Sequence, residues 1–217
     1  MDGLIALVSV AALPVIFAIT LHEAAHGYVA KHFGDSTAYQ AGRISLNPLR
    51  HIDPIGTVVV PVMILLLSTG GFLFGWAKPV PVDFSRLRHP KRDMLWVAAA
   101  GPGANFVMAA GWTLLLKLAW LMPAGGYSLP LAEMSKIGIS INLSLMVLNL
   151  LPLPPLDGGR IAVSLLPQRL AWRFAQLERW GFPILLLLLF TGVLGAIMLP
   201  LVHAARWVLA MIFQTPY

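Results

Sequence analysis

The sequence predicts an all-α membrane protein, a polytopic helix bundle of about four to six membrane segments with a short re-entrant β-like loop. Three observations carry this. Of 217 residues, 58% are hydrophobic and only 11% charged, where a soluble domain carries about 25% charged residues. The apolar residues fall in blocks long enough to cross a bilayer. The loops between the blocks are rich in proline, glycine and basic residues. The length suggests one integral membrane domain over residues 1–217, with a core of 1–160 and C-terminal amphipathic and membrane helices beyond it.

The first block, from about Gly3 to Phe33, is expected to be a retained helix rather than a signal peptide. No basic segment precedes it, and the apolar run leads directly into HEAAH. It is expected to stop near Gly34 and Asp35. TAYQAGRISLNPLRHIDP follows, with Ile44, Leu46 and Leu49 separated by polar residues, and reads as a β-hairpin or an extended loop. Residues 55–74 are apolar, contain Pro61 and close on Gly70 and Gly71; a re-entrant segment is favoured over a full crossing. Spanning helices are expected at Met94–Met122 and Ile137–Leu151, joined by PAGGYSLP. The prolines of LPLPPLDGG then forbid regular helix. An amphipathic stretch, Arg160–Arg179, precedes a last apolar segment from Gly181 to about Leu201.

The basic residues orient this arrangement. With the first helix running inward, Lys31, Arg43, Arg50, Lys78, Arg86, Arg88, Lys91, Arg92, Arg160, Arg169, Arg173 and Arg179 all lie inside. Only Lys117, Lys136 and Arg206 remain, as the positive-inside rule requires. The net charge of +6 is thereby explained without a nucleic-acid partner. The absence of cysteine excludes disulfides and thiolate metal sites, so a metal must be held by His, Asp or Glu.

HEAAH places such ligands. On a helix, His22 and His26 project from one face four residues apart, and two imidazoles at that spacing can meet one tetrahedral zinc. Glu23 then lies beside the metal, where it can take a proton from water. Three ionisable groups in five residues of a spanning helix are costly, and a dication compensates them. A catalytic zinc needs a third protein ligand, and Asp157 is the best candidate, carried on irregular backbone at the end of a membrane helix. The competing reading pairs Asp157 with Arg160. Asp35, Asp53, Asp83 and Asp93, among basic loop residues, are expected to be solvated charges. His32, His51, His89 and His203 lack a second ligand at helical spacing. The tryptophans mostly fall near helix ends, where indoles anchor at the interface.

HEAAH at 22–26, GPGAN at 101–105 and NLLPLPPLDGG at 149–159, with NPLRHIDPIGT and FGWAKPVPV between the first two, resemble the site-2 protease family in its short bacterial form without a PDZ domain. The resemblance implies a zinc-dependent metalloendopeptidase with one Zn2+ per chain. His22, His26 and Asp157 would be the ligands, and Glu23 the general base. Asn149 would serve the substrate or oxyanion, with a less settled role for Asn105. Lys78, Pro79, Val80, Pro81 and Val82 would form the substrate-binding loop; Pro79 and Pro81 lack donors, so only one side of that edge can pair. Gly101, Gly103 and Ala98–Ala100 thin one helix face for close packing.

The implied substrates are membrane-anchored regulators cut in regulated intramembrane proteolysis. The implied partners are a single-pass membrane protein substrate and the lipid bilayer, with homo-oligomers allowed. The implied location is the bacterial plasma membrane, with the active site nearer the cytoplasmic side. The alternatives are a metal-ion transporter or channel using the same His/Glu/Asp cluster, and a silent membrane adaptor. Transport calls for further ligand sites and inverted repeats, neither of which the sequence offers.

Overall fold

A computed structural model of the chain describes residues 2–51, 78–123 and 125–215, together with positions 53, 56, 59 and 63. Apart from those single positions, the segment 55–74 and its re-entrant reading lie outside the described residues, as does Trp76.

Among the described residues eight α-helices follow one another: α1 Asp2–His32, α2 Thr37–Gln40, α3 Pro90–Leu121, α4 Ser128–Leu150, α5 Asp157–Leu165, α6 Gln168–Ala175, α7 Glu178–Phe190 and α8 Val193–Phe213. No strand occurs among the described residues. Among the described residues four stretches are long and apolar enough to cross a membrane: Ser9–His32, Pro90–Leu121, Ser128–Leu150 and Val193–Phe213. The all-α polytopic bundle is therefore as expected.

α3 and α4 pack along each other, α1 lies across both, α5 docks on α3, and α8 leans on α4 and α3. The main core joins Ala109, Trp112, Leu116 and Ala119 of α3 to Ala132, Ile139 and Leu143 of α4 and Leu209 of α8. Trp112 is thus a buried core residue, whereas Trp96, Trp120, Trp172, Trp180 and Trp207 are exposed. Large apolar side chains such as Val107, Leu118, Phe190 and Ile212 also face outward, the arrangement that lipid rather than water favours.

Several boundaries differ from expectation. α4 begins nine residues before Ile137, because the Ser128 hydroxyl closes the preceding turn with Gly125 at 2.9 Å and the polar Glu133–Lys136 pair is an ordinary i,i+3 bridge on a helix. The amphipathic stretch is two helices, interrupted at Pro167. The last apolar segment is also two, because Gly192 takes a left-handed φ of 76° between α7 and α8. The stretch read as a hairpin or extended loop instead forms α2 and a 3-10 turn, Pro48–Arg50, capped by Asn47 accepting the Leu49 N–H at 3.0 Å.

Two acids expected to be solvated are fully buried. Asp35 accepts from the Thr37 N–H at 2.9 Å and hydroxyl at 2.5 Å, and from the Asp83 N–H at 2.7 Å. It therefore ties the end of α1 to the segment before α3. Asp93 accepts the His89 N–H at 2.8 Å and caps the start of α3, satisfying an otherwise orphaned donor. Asp83 is half-buried and caps the turn Phe84–Arg86; the Ser85 hydroxyl and N–H hold its carboxyl below the usual range.

Candidate metal centre

α1 carries His22 and His26 on its inward face, both buried, with ring centroids 4.8 Å apart. α3 passes beneath them at Gly101. A Cβ there would lie 2.4 Å from His26 Nε2 and 2.5 Å from His22 Cε1, so the first glycine of GPGAN is the floor on which both imidazoles rest. A Cβ at Gly103 would meet nothing within 4 Å, so close packing explains only the first glycine. Asp157 opens α5 as its first residue, rather than lying on irregular backbone. Its carboxylate is buried at the positive end of the helix, where an anion is favoured.

The three side chains converge. His22 Nε2 and His26 Nε2 each lie 3.3 Å from Asp157 Oδ2, and 3.1 Å from each other. Burial alone would raise the Asp157 carboxyl, whereas His22 and His26, when protonated, pull it below the usual carboxylate range. Arg160, its rival partner, instead sits over the Phe84 ring at 5.1 Å.

The outer hydrogen bonds fix what each imidazole offers. His26 Nδ1 meets the Val97 carbonyl at 2.7 Å, an acceptor only, so Nδ1 carries a proton. For His22 the logic starts two residues away. Asn142 Nδ2 donates to the Gly138 carbonyl at 2.8 Å, which turns Asn142 Oδ1 toward Asn105. Asn105 Nδ2 donates to that oxygen at 3.0 Å and to the Ala18 carbonyl at 3.2 Å. Asn105 Oδ1 must then face His22 Nδ1, at 2.6 Å, and that nitrogen is the donor.

In neutral rings both Nε2 atoms therefore present lone pairs toward a carboxylate oxygen, and Asp157 Oδ2 has no hydrogen-bond donor among the described residues. Three converging lone pairs in a buried space repel one another unless a cation sits between them. Tetrahedral zinc with bonds of about 2.0–2.1 Å separates its ligand atoms by about 3.3 Å, close to the three distances here. The residues fit the metal. Among the described residues, His22, His26 and Asp157 are the one group of three such side chains that can hold an ion.

Glu23, half-buried beside His22, accepts the Val80 N–H at 2.8 Å. Val80 is buried, whereas Lys78, Pro79 and Pro81 are exposed. Arg43 Nη2 donates to the Lys78 carbonyl at 2.8 Å, and the Lys78 N–H donates to the His51 carbonyl at 2.9 Å. His51 is therefore a buried tie of this loop, with Nε2 on the Ser45 carbonyl at 2.8 Å. Asn149 is half-buried, and its amide donates to Leu145 of its own helix at 3.0 Å.

Comparison with known proteins agrees with this centre. Residues 127–191 match the model of peptidase family M50. The chain is 39% identical over 201 residues to "Putative zinc metalloprotease YwhC" of Bacillus subtilis, covering 89% of this chain and 86% of that protein. The chain belongs to the M50, or site-2 protease, family. "Putative zinc metalloprotease Rip2" of Mycolicibacterium smegmatis is 32% identical over 189 residues, covering 87% of this chain and 69% of that protein. No solved structure matches the chain. As an M50 member with four apolar helices among the described residues, it is a multi-pass membrane zinc metalloprotease.

Asn142 is the residue that sequence reasoning missed. Its signal was present: it lies seven residues before Asn149 on the same apolar helix, so both amides fall near one face. A buried amide in such a helix requires a partner.

Proposed function

We propose that this M50 protease cuts a transmembrane segment of a membrane-anchored regulatory protein, with His22, His26 and Asp157 holding zinc and Glu23 as general acid–base. The observation that carries the reading is the convergence of the two Nε2 atoms and Asp157 Oδ2 between spanning helices, one residue from Glu23. Bound zinc would supply Lewis acidity, lowering the pKa of water and polarising the scissile carbonyl. Glu23 takes the proton of the attacking water and delivers it to the leaving amine. Asn149, whose amide carries a second N–H beyond the one given to Leu145, is the proposed donor to the substrate carbonyl. Asn105, buried with both ends of its amide engaged, is better suited to orienting His22 than to touching substrate.

The segment Lys78–Val82 is the proposed substrate-binding loop. A helical substrate must unwind to expose its carbonyls, and an extended segment can hold the unwound strand. Because the Val80 N–H already holds Glu23, a strand seated on this segment arrives beside the base. His22 and His26 lie toward the end of α1 that leads into the basic loops, and the positive-inside rule then favours a site nearer the cytoplasmic face of a bacterial plasma membrane.

Cleavage of a single-pass test substrate by the purified protein and by Glu23→Gln tests the reading. Wild type is expected to cut within the transmembrane segment, and Glu23→Gln to retain zinc but lose hydrolysis. Undiminished hydrolysis by Glu23→Gln would remove Glu23 from the mechanism.

A further inference from the structure

The three basic residues left on the other side by the positive-inside count, Lys117, Lys136 and Arg206, come together at the opposite end of the bundle. Lys117 donates to the Phe213 carbonyl at the end of α8 at 2.9 Å. Lys136 and Arg206 line a cavity of about 300 Å³ between α3, α4 and α8, walled by Leu116, Trp120, Ile139 and Leu209. Thr113, also on its wall, lies twelve residues beyond Gly101 on α3, or about 18 Å along the helix axis. The cavity is therefore separate from the metal centre.

Arg206 is the anomaly. It sits within a helix apolar enough to span, seven residues or about 10 Å from the helix end, where a guanidinium is costly without a partner. Its Nη2 donates to the Ser140 hydroxyl, a neutral acceptor, and among the described residues no carboxylate pairs with it. Lys136 has Glu133 at 2.7 Å. Lys117, Lys136 and Arg206 outnumber the acidic residues on this side, Asp2 and Glu133.

The geometry points to a binding site for a phosphate-bearing anion here, supplied by the headgroup of an anionic phospholipid. The guanidinium fork matches phosphate oxygens in two parallel hydrogen bonds, and Lys136 adds a second cation at the cavity wall. The apolar walls suit the first methylenes of an acyl chain, which a soluble anion lacks. Trp120, on the cavity wall and exposed, is placed as interfacial anchors are. This inference does not depend on the protease reading.

The test uses the full-length chain in detergent micelles, with lipid retention read by native mass spectrometry. The probes are phosphatidylglycerol, phosphatidylcholine and inorganic phosphate. Wild type is expected to retain phosphatidylglycerol about fivefold better than phosphatidylcholine, roughly the contribution of one interfacial cation. Arg206→Gln is expected to abolish the preference. Lys136→Gln, at an exposed position that does not endanger folding, is expected to reduce it. Equal retention of the two lipids by wild type, or an unchanged preference in Lys136→Gln and Arg206→Gln, would overturn the site. Displacement of phosphatidylglycerol by millimolar phosphate would assign it to a soluble anion and overturn the lipid. Displacement by a single-pass peptide ending in a carboxylate would assign it to substrate and do the same.

Discussion

The backbone N–H of Val80 donates to the Glu23 carboxylate across 2.8 Å, joining the loop proposed to bind substrate to the proposed base. Pro79 and Pro81 have no N–H, so Val80 supplies the one backbone donor in residues 79–81. Val80→Pro is expected to slow cleavage about ten- to hundredfold while zinc content stays at the wild-type level, since a misplaced base forfeits part of its contribution. Val80→Ala keeps the donor and is expected to retain most of the rate. Equal rates for the two variants would separate the loop from the base.

Arg43 holds this segment from outside the metal centre through the carbonyls of Lys78 and Pro79. Arg43→Gln is expected to lower cleavage less than Val80→Pro does, with zinc unaffected. Loss of zinc in this variant would mean that Arg43 supports the metal ligands rather than the loop.

The His22–Asn105–Asn142 chain predicts an effect on metal binding from a residue that touches no ligand. Asn142→Leu leaves Asn105 free to turn its amide, so His22 loses its fixed acceptor. Zinc affinity, measured by chelator competition, is expected to fall about ten- to hundredfold, as for other outer-shell partners of metal-bound histidine. Unchanged affinity would show that His22 is oriented by packing alone.

Gly101→Ala places a methyl where both imidazoles lie, 2.4 Å from His26 Nε2. The expected outcome is a folded helix bundle with little bound zinc, measured as metal content beside the far-ultraviolet circular dichroism spectrum. Gly103→Ala, in open space, is expected to bind zinc normally.

Asp35→Ala removes the acceptor for three donors. With unsatisfied buried donors costing about 1–3 kcal/mol each, a loss of about 3 kcal/mol is expected, visible as a lower Tm in detergent. An unchanged Tm would mean that water replaces the carboxylate.

The residues explain what could be read from the chain and what could not. Helix α1 and its His22–His26 face follow from local periodicity, since a spacing of four on a helix is a geometric statement in itself. Asp157 was legible because few other acids in the sequence lie outside basic loops. The burial of Asp35 and Asp93 was not legible, because it depends on donors brought by distant or irregular backbone, at Asp83 and His89. The start of α4 was hidden by Glu133 and Lys136, whose polarity mimics a loop. The break at Gly192 lay within a long apolar run interrupted only by Thr191, where hydropathy is blind to φ. Asn142 and Asn149 looked alike in sequence; only the third dimension shows that Asn142 reaches Asn105 while Asn149 turns back on Leu145.

The most direct measurement is zinc per chain in purified wild type, Asp157→Ala and Glu23→Gln, determined by mass spectrometry of the metal. The account predicts one zinc in wild type, one in Glu23→Gln, and a loss in Asp157→Ala. A metal-free wild type, or full zinc in Asp157→Ala, would contradict it.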